Sequence, residues 1–549
     1  MIPQPGVATT ASLPVDIRRF PWIRPLAADY AFAYERLESF FSGNPQSPAA
    51  WTAAIARAQG VTRQRDRIVD VIAAQQERRG APAASRAALQ TMRDGKTVAV
   101  LTGQQAGVFG GPLFTLLKAL TAIRLAEQVR REHRVPAVAV FWIDAEDHDW
   151  DEVKACSVLD GDLGHHTVSV GNPVGAHERP VARVALDAAT DTAIAELERL
   201  LTPTEFTPAL LAQLRKAYRP GQGTADAFGQ WLESVLGDRG LIVYDASDPA
   251  AKPLVGHLFT QELEQAGATG RAVAEVGDAL RERGYHAQLT PHADSVALFH
   301  LDGGREPIRS DGDSFRIGDT RVDKPALLGE VRTHPEAFSP NVMLRPIVQD
   351  TLFPTICYVA GPNELAYLGQ LKPVYAAFGV PMPLMFQRLT ATLVDSNAMR
   401  FLTRHEFPIE QLQAQDESAL NELLASHLPP GVETSIEQAG RMLRERMEAL
   451  AAAVPQIDPT LEGATRSTLG RMEDDLKKLH GKVIQAAKRK DETLRRQFQH
   501  AQAQAFPAGH PQEREIGFVY FLNKYGPPLI DRLSHELALD MGTHWVVTV

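Results

Sequence analysis

An acidic run of nine residues, DAEDHDWDE, constrains the fold more than any other feature of the chain. The run spans residues 144–152 and follows directly on an apolar stretch at residues 135–143. Carboxylates packed together at the end of a buried strand repel one another unless cations, arginines or a bound ligand neutralise them. We therefore expect the run to form part of an active site at the end of a strand.

A strand, a glycine-rich loop and a helix precede this apolar stretch and together predict a βαβ unit. Residues 97–101 are β-branched and apolar, which is typical of a buried parallel strand. The loop covers residues 103–111, and Pro112 is well placed to begin a helix over residues 113–130. Because ligands of open α/β sheets bind outside the carboxyl ends of the strands, the loop and the acidic run are expected to share one cavity.

Three further apolar segments predict additional strands, so the parallel sheet should contain at least five. They are residues 240–244, 354–360 and 381–386. The predicted fold class is α/β, with a Rossmann-like parallel sheet core that carries insertions and an antiparallel α-helical coiled-coil domain. We expect an N-terminal helical layer packed on the core (1–90), the Rossmann-like catalytic core (91–388), the helical and coiled-coil domain (389–510) and a C-terminal segment that docks on the core (511–549).

The coiled-coil prediction depends on two helical patterns separated by prolines. Apolar residues recur at alternating spacings of four and three over residues 436–454, and the pattern resumes over residues 469–483. Pro455 and Pro459 lie between the two segments. Two such helices joined by a short turn predict an antiparallel hairpin.

Length and composition narrow the class of protein. A chain of 549 residues is too long for one core, and a net charge of −10 argues against binding to nucleic acid or an anionic membrane. Cys156 and Cys357 are the only cysteines, which excludes a disulfide framework. No segment reads as a signal peptide or as an apolar membrane helix. We therefore expect a cytoplasmic protein.

The glycine-rich loop, TGQQAGVFGG, suits an anion but matches no nucleotide-binding motif. It lacks the Gly-Lys-Ser/Thr of a P-loop and the G-x-G-x-x-G of a dinucleotide site. Gly103 and Gly107 permit close backbone approach to a ligand, and Gln104 and Gln105 add amide donors and acceptors. A ligand role and a tight structural turn both remain open.

The acidic run is compatible with three kinds of chemistry. Asp144, Glu146 and Asp147 could hold Mg²⁺ beside a nucleotide phosphate. Asp147 could instead act with His148 as a general base for an amine nucleophile. His148 could also bind Zn²⁺ with Asp147 and Asp149, although no second histidine lies at helical spacing.

Other polar residues have simpler interpretations. Asp151 and Glu152 are expected to cap the following helix or to face water. Arg345 could bind a substrate carboxylate with its planar guanidinium, or it could form a buried salt bridge to the acidic run. Cys357 is expected to be a packing residue.

Four long segments closely resemble one known family, the bacillithiol biosynthesis cysteine-adding enzymes (BshC). The similarity extends over essentially the whole chain. The segments are LTGQQAGVFGGPLFTLLKAL (101–120), VFWIDAEDHDWDEV (140–153), NVMLRPIVQDTLFPTICYVAGPNELAYLGQL (341–371) and FVYFLNKYGPPLI (518–530).

The resemblance implies a Rossmann-like core joined to a coiled coil that forms a homodimer. It implies amide formation between the carboxyl of L-cysteine and the amine of glucosaminyl malate, and the binding of a nucleotide. Because this condensation needs activation, we expect ATP or another adenine nucleotide as the cofactor, with or without Mg²⁺. In this interpretation Asp147 and His148 are catalytic, and Gly103 and Gly107 bind the cofactor without a resident metal. The residues expected to bind substrate are Gln104, Gln105, Asn341, Arg345, Asn363 and Glu364.

Two alternatives come from other functional classes. The first is a metal-dependent hydrolase of an amide or sugar, with the acidic run as ligands. The second is a non-catalytic coiled-coil interaction protein with a degenerate pocket.

Overall fold

The computed structural model describes residues 12–302, 304–426, 431–490 and 492–549, with the side chains of 487–490 left out. It divides into two compact units. The larger unit contains the chain up to Thr392 and again from Gln512 to Val547, whereas the smaller unit contains Leu393–Pro511. The C-terminal segment therefore returns to the unit that contains the N-terminal half of the chain.

The described residues form the following strands and helices, with single 3₁₀ turns between some of them. The strands are β1 Ser12–Asp16, β2 Val98–Gln105, β3 Ala137–Asp144, β4 Ala155–Leu159, β5 His165–Ser169, β6 Ile242–Asp245, β7 Ser295–His300, β8 Glu306–Asp311, β9 Ser314–Ile317, β10 Thr320–Asp323, β11 Phe338–Pro340, β12 Thr355–Ala360, β13 Leu384–Gln387, β14 Thr390–Val394 and β15 Thr543–Thr548. The α-helices are α1 Pro25–Phe32, α2 Pro48–Gln59, α3 Arg65–Arg79, α4 Ala83–Thr91, α5 Leu113–His133, α6 Trp150–Val153, α7 Ala189–Leu200, α8 Thr207–Ala217, α9 Thr224–Leu236, α10 Gly256–Glu264, α11 Ala268–Glu282, α12 Lys324–Thr333, α13 Arg345–Leu352, α14 Glu364–Leu368, α15 Lys372–Ala377, α16 Ser396–Arg404, α17 Ser418–Ser426, α18 Val432–Ala453, α19 Leu461–Lys490, α20 Glu492–Ala505, α21 Gln512–Glu515, α22 Phe518–Tyr525 and α23 Pro528–Glu536.

A five-stranded parallel sheet in the order β13-β12-β2-β3-β6 forms the centre of the larger unit. This confirms the predicted α/β core, and all five strands lie where the apolar segments indicated. The strand β2 is longer than expected, because Gln104 pairs with Ile143 and Gln105 pairs with Asp144. The two glutamines therefore end a strand instead of belonging to a loop, since the neighbouring β3 continues far enough to pair with them.

Two long segments whose sequence predicts a single helix are each interrupted. The helical periodicity of residues 49–79 predicts one helix, but the segment forms α2 and α3, with α2 ending at Gly60. Residues 363–378, after the turn at Gly361 and Pro362, also predict one helix but form α14 and α15, and Pro373 lies in the first turn of α15. Proline lacks the amide hydrogen that a continuous helix needs. Among the described helices, none is both long and apolar enough to cross a membrane.

The insertions carry a second, antiparallel sheet in the order β10-β9-β8-β7-β11. Glu262 of α10 joins this sheet to its helical support. Its carboxylate accepts hydrogen bonds from the Ala297 amide of β7 (2.7 Å) and from the Thr269 hydroxyl (2.5 Å). Burial raises the pKa of Glu262 to about 7, and the two hydrogen bonds only partly oppose that effect. No cation compensates this carboxylate among the described residues.

Replacing Glu262 with glutamine is expected to stabilise the protein increasingly as pH rises. The folded-state pKa of about 7 exceeds the ordinary 4.5, so the folded state binds more protons than the unfolded state between these values. Wild-type stability therefore falls as pH rises through this range, in total by on the order of 3 kcal/mol for this group. Thermal unfolding from about pH 5 to pH 8 should show the melting temperature of the variant rising relative to that of wild type. The exposed Glu264→Gln serves as the control, and an equal gain there would contradict the assignment.

The smaller unit contains the predicted helical hairpin. Three contacts show that residues later in α18 meet residues earlier in α19. Arg444 donates to Glu473 (3.0 Å), and His480 lies 3.1 Å from Glu433. A Cβ at Gly440 would lie 3.4 Å from Leu476. Because the residue numbers of each pair sum to nearly the same value, α18 and α19 run antiparallel, which confirms the hairpin prediction.

Candidate functional site

A cavity of about 590 Å³ opens at the carboxyl ends of the central strands β2, β3 and β12. The inserted sheet and the C-terminal segment complete its walls through Phe299, Arg305 and Arg514. Gly103 and Asp147 line the cavity, whereas Gly107 and His148 do not. All six residues predicted to bind substrate also line it: Gln104, Gln105, Asn341, Arg345, Asn363 and Glu364.

A buried ion pair joins two walls of the cavity. Lys118 of α5 lies 2.6 Å from Glu364 of α14 and donates hydrogen bonds to the Gly103 carbonyl (2.8 Å) and to Gln104 Oε1 (3.1 Å). Glu364 also accepts a hydrogen bond from the Gly361 amide at 2.6 Å. Burial opposes ionisation of Glu364, but Lys118 and the Gly361 amide hold its pKa below the usual value. The pair therefore fixes the end of β2 against α14.

Arg345 is occupied by groups of the protein itself. Its Nε lies 3.6 Å from Asp144, and its two terminal nitrogens donate to Gln349 and to the Tyr367 hydroxyl, both at 3.3 Å. Two roles were considered for Arg345, and the structure shows one of them, the salt bridge to the acidic run. All three guanidinium nitrogens thus have partners before any ligand binds.

Asp147 faces the cavity and is bound by a second arginine. Arg305 Nη1 donates to Asp147 Oδ1 (3.1 Å), and its guanidinium lies 3.7 Å from the centre of the Phe299 ring. His148 Nδ1 lies 3.2 Å from the same Asp147 oxygen, but half of the His148 side chain is exposed. Asp147 therefore connects the predicted catalytic pair to the cavity.

Glu152 is exposed, as expected, but the water-filled space that it faces is the cavity, which it lines. Partial burial raises its pKa; a hydrogen bond with Gln105 opposes the shift, and the nearby carboxylates Asp149, Asp147 and Asp144 add to it. A carboxyl group with a raised pKa can accept a proton from an amine more readily than an ordinary carboxylate can. Asp151 is also exposed and pairs with Lys154, as expected.

The rest of the acidic run does not converge on a metal. Glu146 is buried and its carboxylate is engaged in an ion pair with Lys252. Asp149 caps the short helix α6 by accepting from the Glu152 amide. In the part of the chain that the structure describes, no three His, Cys, Asp or Glu side chains lie close enough together to hold a metal ion. Neither the Mg²⁺ nor the Zn²⁺ arrangement considered above is assembled.

The glycine-rich loop beyond Gln105 is packed into the protein interior. Gly110 has a φ of 98°, and a Cβ there would lie 2.2 Å from the Phe518 ring. The Gly107 amide, which would be the donor to a phosphate, already donates to the Gln105 carbonyl (2.9 Å). The first amide of α5, at Leu113, donates to the Ile516 carbonyl (2.8 Å). Because these groups are already engaged, the loop and the start of α5 do not fit a nucleotide phosphate.

A third arginine–carboxylate pair brings the C-terminal segment to the cavity. Arg388 binds Glu513 through two nitrogens, at 2.7 and 3.0 Å, and both side chains are buried. Glu513 also accepts from the Ala391 amide (3.0 Å). The next residue, Arg514, lines the cavity, with its guanidinium 5.9 Å from the centre of the Phe114 ring. Docking of this segment thus adds a positively charged group to the site.

The cavity has two ends of opposite charge. Around Phe114 lie the cations Lys118, Arg388 and Arg514, and two carboxylates, Glu364 and Glu513, pair with the first two. At the other end lie Asp144, Asp147, Glu152 and Arg305, and Arg345 lies between the two ends, paired with Asp144 but also near Glu364. One positive charge at the first end and one negative charge at the second are therefore uncompensated by these pairs. The arrangement suits a ligand that carries both an anionic and a cationic group.

Four residues of the site were missed or misjudged from sequence: Lys118, Glu152, Arg305 and Arg514. Only Lys118 has a usable signal, because it is the single charged residue in the apolar helical stretch 113–123. A lysine alone in a buried helix must find a partner. Arg305 and Arg514 lie in an inserted sheet and in the C-terminal segment, so no local pattern relates them to the strand ends.

The fold and site define a Rossmann-like α/β protein with a ligand cavity at its strand ends and an appended helical coiled-coil unit. The model of the BshC N-terminal Rossmann-like domain of bacillithiol biosynthesis matches residues 13–389, and that of the BshC C-terminal coiled-coil domain matches residues 391–549. The chain belongs to the BshC family of bacillithiol biosynthesis.

Curated relatives match over nearly their full length, and each carries the description "Putative cysteine ligase BshC". The relative from Salinibacter ruber is 35% identical and the match covers 98% of both chains. The relative from Symbiobacterium thermophilum is 32% identical, again with 98% of both chains covered. The relative from Koribacter versatilis is 30% identical, with 97% of this chain and 99% of the relative covered.

Proposed function

We propose that this protein is a ligase of bacillithiol biosynthesis that joins the carboxyl of L-cysteine to the amine of glucosaminyl malate. The observation that supports this most directly is the charge separation within the cavity. Glucosaminyl malate carries an amine and two carboxylates, and the acidic and cationic ends match these groups in sign. The family model is one of bacillithiol biosynthesis and the relatives are described as putative cysteine ligases, which supports a ligase that uses cysteine.

In the proposed mechanism the acidic end receives the amine. Asp144 and Asp147 attract the ammonium form, while Arg345 and Arg305 hold these carboxylates in place. An amine must lose a proton before it attacks an acyl carbon, and Glu152 accepts that proton because its pKa is raised. His148 acts through its contact with Asp147 as an orienting partner.

Activation of the cysteine carboxyl is a separate part of the proposal. Condensing a carboxylate with an amine in water is uphill, so a leaving group must be supplied. We propose that ATP would supply it: transfer of AMP to the cysteine carboxylate, with loss of pyrophosphate, would give the carboxyl a leaving group that the amine could displace. The engaged groups around Gly107 and Leu113 argue against the glycine-rich loop as the phosphate site.

The test is product formation by the purified full-length chain. Incubation with L-cysteine, glucosaminyl malate and MgATP should yield bacillithiol, detected by mass spectrometry, together with one AMP per product. Cysteine-dependent exchange of labelled pyrophosphate into ATP tests the activation step alone. Failure to form product with any nucleotide would overturn the ligase proposal, whereas product without exchange would overturn only the adenylate step.

We also propose that the coiled coil forms a homodimer. The α18–α19 hairpin exposes 62% of Met442, 43% of Met472 and 52% of Leu479 to solvent, which is costly unless another surface covers them. Replacing Met442 and Leu479 together with glutamate is expected to convert a dimer to a monomer in analytical ultracentrifugation. The matched control places glutamate at the exposed polar positions Gln438 and Lys482. A monomeric wild type at all concentrations would contradict the proposal.

A further inference from the structure

The cavity contains several arginines, but their charges are not equally available to a ligand. Arg345 is bound by Asp144, Gln349 and the Tyr367 hydroxyl. Arg388 is bound by Glu513 through two nitrogens. Each of these side chains would have to give up an existing partner to bind a substrate carboxylate, and the carboxylate left behind would be poorly solvated.

Arg305 is engaged in the same way. It donates to Asp147 (3.1 Å) and to the Ser339 hydroxyl (3.3 Å), and its guanidinium lies over the Phe299 ring. It also lies at the acidic end, where a second carboxylate would be repelled by Asp147 and Glu152. Arg305 is therefore a positioning group for Asp147.

Arg514 differs from these three. Within the described residues no carboxylate lies within ion-pair distance of it, because the neighbouring Glu513 is committed to Arg388. Burial and the charge of Arg388 lower the pKa of Arg514, and the more distant charges of Glu513 and Glu364 only partly oppose that shift, while the residue itself is exposed in the cavity. A guanidinium with free donors, held beside Phe114 at the mouth of a binding cavity, is suited to bidentate recognition of a carboxylate.

We infer that Arg514 binds a carboxylate of the amine-bearing substrate and so selects the malate-bearing sugar over sugars without carboxylates. The inference rests on the proposed function, because that function supplies the substrate. Arg514 also orients the substrate, with the malate group toward Phe114 and the amine toward Glu152. The C-terminal segment thereby contributes the specificity of a site whose chemistry lies at the strand ends.

The experiment compares full-length wild type with Arg514→Ala and Arg514→Lys. Isothermal titration with glucosaminyl malate should show affinity weakened by roughly 10- to 100-fold in Arg514→Ala and by less in Arg514→Lys. In kinetics, the preference in kcat/KM for glucosaminyl malate over methyl glucosaminide, which lacks carboxylates, should fall by a similar factor. The KM for cysteine should not change. The exposed Arg199→Ala, on α7, is the matched control.

The outcomes separate the inference from the function on which it rests. Unchanged affinity and unchanged sugar preference in a folded Arg514→Ala protein would overturn the inference. The proposed ligase function would still stand if the wild type forms the product. Wild type that binds glucosaminyl malate in an Arg514-dependent manner but forms no amide would overturn the function and retain the binding role. Wild type that does not bind the malate compound would overturn both. Equal loss of affinity for methyl glucosaminide would indicate a purely structural effect and would also overturn the inference.

Discussion

Replacing Lys118 with methionine is expected to lower the free energy of unfolding by about 3–5 kcal/mol, since breaking a buried pair from one side leaves an uncompensated charge. Glu364 would lose the cation 2.6 Å away and keep only neutral donors, such as the Gly361 amide and the Tyr358 hydroxyl. The Gly103 carbonyl and Gln104 would also lose their shared donor. Chemical denaturation followed by near-ultraviolet circular dichroism measures the change.

The double variant Lys118→Met with Glu364→Gln tests the cause. Removing both charges should recover much of the lost stability, because a neutral amide is far less costly to bury than a lone carboxylate. Lys96→Met, at an exposed position, is the control and should change stability by less than about 0.5 kcal/mol. If the double variant is no more stable than Lys118→Met alone, loss of packing and not the uncompensated charge explains the effect.

Replacing Glu152 with glutamine is expected to reduce kcat/KM for glucosaminyl malate by roughly 10²- to 10⁴-fold, the usual contribution of a general base. Glutamine keeps the size of the side chain and can still bond to Gln105, but it cannot accept the amine proton. Burial and neighbouring carboxylates raise the pKa of Glu152. Wild-type activity should therefore fall as pH drops through that raised pKa, because the protonated carboxyl cannot act as a base. The Glu152→Gln variant should lack this limb of its pH profile.

Substitutions at neighbouring residues identify which side chain of the acidic run accepts the amine proton. Asp151→Asn removes an exposed carboxylate that pairs with Lys154, so its activity should stay within about twofold of wild type. Asp147→Asn should raise KM more than it lowers kcat if Asp147 mainly attracts the ammonium group. Should Glu152→Gln retain wild-type activity while Asp147→Asn or His148→Ala abolishes turnover, the Asp147–His148 pair is the proton acceptor instead.

The parallel sheet was predictable because its evidence is local. Each of the five strands is a short apolar segment, and a strand, loop, helix and strand in succession can form only a few right-handed arrangements. The helical hairpin was predictable for the same reason, since the apolar spacing and the prolines between the helices are visible in one window. Helix ends were less predictable: whether Gly60 or Pro373 interrupts a helix depends on packing around it.

The extent of β2 shows where local evidence fails. Gly103 and the two glutamines after it have the composition of a loop, but they continue the strand because β3 supplies partners as far as Asp144. The Pro112 helix start likewise has the composition of an anion site, but the Ile516 carbonyl occupies its first amide. In both cases a distant segment supplies the hydrogen-bond partner that decides the outcome.

Sequence alone determined the fold class, the family resemblance and nine of the cavity residues, because these depend on apolar periodicity and on polar residues at predicted strand ends. Tertiary structure alone decided which charges are free. Coulomb interactions act through space, so Arg345 is neutralised by Asp144 and Glu364 by Lys118, while Glu513 is drawn to Arg388 and leaves its neighbour Arg514 without a partner among the described residues. Net charge at a site depends on the distances between segments far apart in the chain, and only the folded arrangement sets those distances.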